Sequence, residues 1–102
     1  MACKINWTSR AWQSFEANVE YLQREWTFKE VSNFVASTDK KIAIIANQPK
    51  IGKSRDKKHP NLRFVVIHKR VALIYKHKPQ RDEIDLLVFW NTHRNPGKLK
   101  FK

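Results

Sequence analysis

The stretch LRFVVIHKRVALIYK, residues 62–76, decides the fold. It holds two runs rich in β-branched and aromatic residues, LRFVVIH (62–68) and RVALIYK (70–76), which meet at Lys69. Such side chains suit a pleated, half-buried strand, and a junction this short implies a tight antiparallel turn. A third run of the same kind, IDLLVFW (84–90), follows the longer connection HKPQRDE. The three runs read as an antiparallel meander. Both of its faces are largely apolar, so one face must take helices and the other suits a surface that something covers.

Helices are available just upstream. In SRAWQSFEANVEYLQREW (9–26), Trp12, Phe15, Val19, Leu22 and Trp26 recur at spacings of three, four, three and four. That is one apolar stripe on a helix, with Thr8 or Ser9 able to cap its start. TFKE then places Thr27 three residues before Glu30, the pattern of a capping box. Val31, Phe34, Val35, Thr38, Ile42 and Ile45 continue at helical spacing until Asn47, Pro49 and Gly52 stop the run. Residues 9–47 thus read as a helical hairpin, with Trp12, Phe15, Val19, Leu22, Phe34 and Ile45 expected in the core. CKINW (3–7) reads as a first strand, and the polar KSRDKKHPN (53–61) as a loop. The expected architecture is α+β: an N-terminal strand, a helical hairpin and a three-stranded antiparallel meander, with the helices on one face of the sheet.

The chain has 102 residues, which fits a single domain over 1–102. No apolar run approaches the ~20 residues of a membrane span, and MACKINW has no signal-peptide character. The lone Cys3 cannot form an internal disulfide and fits a reducing cytoplasm. Charge is distributed unevenly. Residues 1–49 carry six basic and five acidic side chains, whereas residues 50–102 carry fifteen basic and four acidic. The first half reads as scaffold and the second as a surface for a polyanion, nucleic acid or an acidic protein partner.

The chain contains no P-loop, no glycine-rich nucleotide loop and no HExxH motif. His59, His68, His77 and His93 lie nine, nine and sixteen residues apart, which is no metal-ligand spacing. No metal and no cofactor is therefore expected. What remains is a basic, histidine-containing ring. Lys53, Arg55, Lys57, Lys58 and His59 come from the loop, and Arg63 from the strand after it. The C-terminal FWNTHRNPGKL (89–99) adds His93, Arg94 and Lys98. Metal-free RNA cleavage needs a base for the 2′-hydroxyl, cations for the phosphate and an acid for the leaving oxygen. Histidine suits the proton steps and Arg or Lys the charge. Arg63, His93 and Arg94 are the candidate catalytic residues. Lys53, Arg55, Lys57, Lys58, His59 and Lys98 are the candidate nucleic-acid contacts. Lys57 and Lys58 also read simply as solvated or phosphate-contacting, and His68 and His77 as strand-end and loop residues. Phe89 and Trp90 fall on opposite faces of a strand, which anchors the exit toward residues 93 and 94. Pro96 and Gly97 then turn the chain. A nitrogen of His93 or Arg94 is expected within about 10 Å of the Arg63 guanidinium, so that both could reach one anion.

The order of elements, the W-x4-W-x2-F opening of the hairpin, NQPKIG, LRFVVIHKRVALIYK and IDLLVFWNTHRNPGKL together resemble the RelE/ParE superfamily of bacterial type II toxin–antitoxin systems. The resemblance covers nearly the whole chain and is most specific in its last segment. It implies a small cytoplasmic toxin, of a kind tied to plasmid stabilization, neutralised by an antitoxin with an acidic or amphipathic segment. RelE-like members cut mRNA on the ribosome with basic residues of the sheet and C-terminus, and Arg63 matches one of these. ParE-like members instead poison DNA gyrase without cleaving RNA. The implied function is thus a metal-independent, ribosome-dependent mRNA endoribonuclease. The gyrase inhibitor is the alternative, favoured by Ala72 where the nucleases often carry Arg and by the missing Tyr after the last strand. A plain RNA-binding accessory protein is a third reading.

Overall fold

A computed structural model describes residues 2–54, 56–68 and 71–91. Two threonines set where the helices begin. The Thr8 hydroxyl accepts from the Ala11 N–H at 3.1 Å and starts α1 (Ser9–Glu25). Thr27 does the same for the Glu30 N–H at 3.4 Å and starts α2 (Phe28–Asn47). Each cap satisfies a backbone donor that the first helical turn leaves unpaired. Only Trp26 and Thr27 separate the helices, so the chain must reverse as a hairpin.

The strands are β1 (Lys4–Trp7), β2 (Lys53–Ser54), β3 (Leu62–His68), β4 (Val71–Lys78) and β5 (Glu83–Asn91). The expected meander is present as β3-β4-β5, but it is the middle of a larger sheet of order β1-β5-β4-β3-β2. Two features differ from the reading of the sequence. The first strand runs parallel to β5, pairing Lys4 with Glu83 and Trp7 with Leu86, which makes the sheet mixed. The helical hairpin supplies the long crossover that a parallel pair requires. The segment read wholly as a loop also contributes β2, whose Lys53 and Ser54 pair with Phe64 and Arg63.

The core lies between the hairpin and one face of the sheet. Of the six residues expected there, Leu22, Phe34 and Ile45 are fully buried, and Phe15 and Val19 are partly buried against them. Trp12 is a correction: it is 49% exposed, whereas its neighbour Ala11 is completely buried. The contact line runs through Ala11, Asn18 and Leu22, where small or polar residues let the helix approach the sheet closely. Trp12 sits at its flank and stacks on Trp7 at 4.3 Å.

The polar part of that line has a reason. β1 ends opposite Leu86, so the outer edge of β5 beyond it has no strand partner among the described residues. Helix α1 takes over. The Phe89 N–H donates to the Ser14 hydroxyl at 2.9 Å, and Asn18 Nδ2 donates to the Phe89 carbonyl at 3.0 Å. Asn18 Oδ1 accepts from Asn91 Nδ2 at 3.0 Å. These side chains satisfy backbone groups that burial would otherwise leave costly. Phe89 faces the core and Trp90, paired with Ala72, faces away, as the strand alternation requires. Among the described residues no helix is long and apolar enough to cross a membrane.

Candidate functional site

Arg63 and Tyr75 are cross-strand partners on the helix-facing side of β3 and β4. Together they hold the linker between α2 and β2. The Tyr75 hydroxyl donates to the Pro49 carbonyl at 2.7 Å and accepts from the Gly52 N–H at 3.0 Å. Arg63 Nη1 donates to the carbonyls of Gly52 at 2.7 Å and Lys50 at 3.3 Å. Two side chains thus satisfy four backbone groups of a segment that has no regular structure. Glycine is required at position 52 for room: a Cβ there would meet Tyr75 Oη at 2.5 Å and the Phe64 carbonyl at 2.8 Å. The latch fixes where Lys50, Ile51 and Lys53 sit. Burial raises the Tyr75 pKa above its usual 10.0, against the Gly52 hydrogen bond and the Arg63 charge, so the phenol stays a donor at neutral pH.

His77 lies on the same side, two residues along β4, with only 7% of its surface exposed. Burial lowers its pKa below the usual 6.5, the charges of Lys50 and Arg63 lower it further, and Asp82 opposes them. A neutral imidazole therefore sits close to two cations at this end of the sheet. Its Nδ1 and the Nε of Arg63 are buried without a partner among the described residues. His77 is an interior group here, not the loop residue expected from sequence. His68 is also interior. Its Nε2 lies 3.2 Å from Glu30 Oε2, and its ring packs against Trp26 and Phe34, tying the end of β3 to the start of α2.

The basic loop stands at the same end of the sheet as Arg63. Asp56 shapes it. Its Oδ1 accepts from the Lys58 N–H at 2.9 Å, and its Oδ2 lies 3.2 Å from His59 Nδ1. These bonds hold its carboxyl below the ordinary 3.8, with the Lys58 N–H first and His59 second. Lys57, Lys58 and His59 are all exposed. Lys53 is exposed on β2 beside Phe64. Arg55, His93, Arg94 and Lys98 lie outside the described residues. The last described residue, Asn91, pairs with Val71, four residues along β4 from the Tyr75 that faces Arg63.

The face turned away from the helices carries cations that the sequence reading passed over. Lys76 and Lys78 continue the row of Ala72 and Ile74 on that face, and period-two spacing along LIYKHK was the available signal. Lys76 is exposed. Lys78 Nζ pairs with Asp85 Oδ2 at 2.7 Å. Burial pushes the Asp85 carboxyl up, but hydrogen bonds from Lys78 and Asn6 and the charges of Lys78 and Lys76 bring it below 3.8. The carboxylates stay on the β5 side, and the free lysine charge stays on the β2–β4 side. Among the described residues no cluster of His, Cys, Asp or Glu could hold a metal ion. What the arrangement offers is an anion surface: exposed lysines on a loop and strand end, backed by a half-buried arginine and a buried imidazole.

No protein-family model matches the chain, and no curated protein does. A solved structure of the E. coli toxin RelE, a double arginine-to-alanine mutant in the free state, is similar to it over 94% of this chain and 90% of that one. The TM-score is 0.62 and the sequence identity 12%. The fold is therefore the RelE toxin fold, shared through backbone geometry with little identity of side chains.

Proposed function

We propose that the chain is the toxin of a type II toxin–antitoxin pair and acts as a metal-independent, ribosome-dependent mRNA endoribonuclease. One observation carries the reading: a RelE fold over 94% of the chain whose exposed lysines gather at the Arg63 end of the sheet. Lys53, Lys57 and Lys58 hold the RNA backbone, Lys76 extends that surface, and Arg55, His59 and Lys98 complete it. Arg63 brings positive charge to the scissile phosphate and also holds the 49–52 linker in place. His93 and Arg94 complete the site, the imidazole moving protons and the guanidinium stabilising the phosphate. The protein works in the cytoplasm, and an antitoxin with an acidic or amphipathic segment neutralises it.

Purified protein added to a reconstituted translation system should cut mRNA in the presence of ribosomes and leave naked mRNA intact, with chelator making no difference. Arg63→Ala should slow the cut in proportion to about 2.7–4 kcal/mol, the scale of one lost charge-stabilising donor. Intact mRNA under these conditions would overturn the reading. Ala72 favours a second one. It lies beside Trp90 on the away face and adds no cation where the nucleases of this family often have Arg. Inhibition of gyrase supercoiling without RNA cleavage would establish that gyrase reading instead.

A further inference from the structure

The connection between β2 and β3 holds more order than an exposed basic loop needs. The Ser54 hydroxyl donates to the Asp56 carbonyl at 3.1 Å, and the His59 N–H donates to the same carbonyl at 3.0 Å. The Leu62 N–H donates to the His59 carbonyl at 3.0 Å, and the His77 N–H to the Asn61 carbonyl at 2.9 Å. The backbone at His59 is thereby tied to β2 on one side and to β3 and β4 on the other. Pro60 narrows the backbone angles open to it. The imidazole is oriented as well. Its Nδ1 lies 3.2 Å from Asp56 Oδ2, while the Lys58 N–H holds Asp56 Oδ1 at 2.9 Å. Of the three described histidines only His59 is exposed. Its Nε2 makes no hydrogen bond among the described residues, and 66% of the side chain meets solvent.

An exposed pair of this kind adds little to stability. Its effect is on the tautomer. A carboxylate only accepts, so Nδ1 carries the ring proton and the neutral imidazole keeps its lone pair on Nε2. That bare nitrogen looks out from a loop whose Lys57 and Lys58 are also exposed, with Arg63 following on β3. We propose that His59 is the general base of RNA cleavage and Asp56 its positioning residue, an assignment that rests on the nuclease reading. Nε2 takes the proton of the 2′-hydroxyl as that oxygen bonds to phosphorus. The bond from phosphorus to the 5′-oxygen breaks, and that oxygen leaves with a proton supplied by the second imidazole, His93. The products are a 2′,3′-cyclic phosphate and a 5′-hydroxyl end. His59 is left protonated and His93 neutral, and exchange with water restores both. Asp56 keeps Nδ1–H throughout and lies against the imidazolium as it forms.

The test uses the full chain and measures the single-turnover rate of cutting ribosome-bound mRNA against protein concentration. His59→Ala should lower the saturated rate about a hundredfold or more, the scale of one general base, with half-saturation and the thermal unfolding midpoint unchanged. Added free imidazole should restore part of the rate to His59→Ala and none to the unaltered chain. Asp56→Asn keeps an oxygen for the Lys58 N–H but turns an amide N–H toward His59, which moves the ring proton to Nε2. It should lower the saturated rate too, by less than His59→Ala, and imidazole should not rescue it. A His59→Ala chain that keeps its saturated rate, or loses only in half-saturation, makes His59 an RNA contact alone and overturns the proposal while the nuclease reading stands. A lost rate that imidazole fails to restore, with Asp56→Asn at full rate, overturns it as well. An unaltered chain that leaves ribosome-bound mRNA intact overturns the nuclease reading, and this assignment with it.

Discussion

Replacing Tyr75 by Phe removes one oxygen from the centre of the latch. The ring is fully buried, and the shape of the side chain is otherwise unchanged, so packing is preserved. Two bonds are lost, to the Gly52 N–H and to the Pro49 carbonyl. Gly52 is buried, so its N–H is left without a partner at about 1–3 kcal/mol. Pro49 is only partly buried and its carbonyl can turn to water, so that bond contributes about 0.5–1.5 kcal/mol net. Tyr75→Phe should therefore destabilise the fold by about 2–4 kcal/mol, against a total of ~5–15 kcal/mol for a typical domain. Urea denaturation followed by tryptophan fluorescence reads the change. With a slope of ~2 kcal/mol per molar urea, the midpoint should fall by about 1–2 M. Hydrogen exchange should quicken over residues 51–54, which the latch holds, while the far end of β4 keeps its protection. A loss below about 0.5 kcal/mol with unchanged exchange at 51–54 would refute the latch.

Gly52→Ala should be destabilised by about 1–3 kcal/mol in the same urea experiment, because the new methyl must push on Tyr75 Oη and the Phe64 carbonyl. Asn18→Leu should lose about 2–4 kcal/mol, since the Phe89 carbonyl is stranded and Asn91 loses one hydrogen bond; thermal unfolding would measure it. His77 is held neutral in the fold, with a pKa below that of the unfolded chain, so its contribution is complete above about pH 6.5 and fades as pH falls. Stability measured from neutral pH downward should consequently drop more steeply for the unaltered protein than for His77→Gln, and parallel curves would contradict this. For single-stranded RNA followed by fluorescence anisotropy, the K57E/K58E variant should lower the slope of log affinity against log salt by about 1.4, two phosphate contacts at ~0.7 each.

Some of this was legible in residue order alone. Helical spacing from Ser9 to Asn47, the capping threonines and the three β-branched runs identified the elements, because each is a local pattern that neighbouring residues decide. The charge difference between the two halves was legible for the same reason: composition survives any packing. The core residues were legible only in part. Leu22, Phe34 and Ile45 lie on the contact line, but Trp12 falls beside it, since a stripe read from spacing does not say which of its edges faces the sheet. Placing the first strand parallel to β5 needed residues 79 positions apart, Lys4 and Glu83, to be brought together. The latch likewise joins Pro49 and Gly52 to Tyr75 across an intervening strand. Arg63 shows the division most sharply. Its residue type marked it as a cation within a strand, which the sequence by itself could state. Only the tertiary structure decided that its Nη1 goes to the backbone of the 49–52 linker, on the helix side of the sheet. Strand alternation and cross-strand register choose the face, and register is a long-range property that no single segment contains.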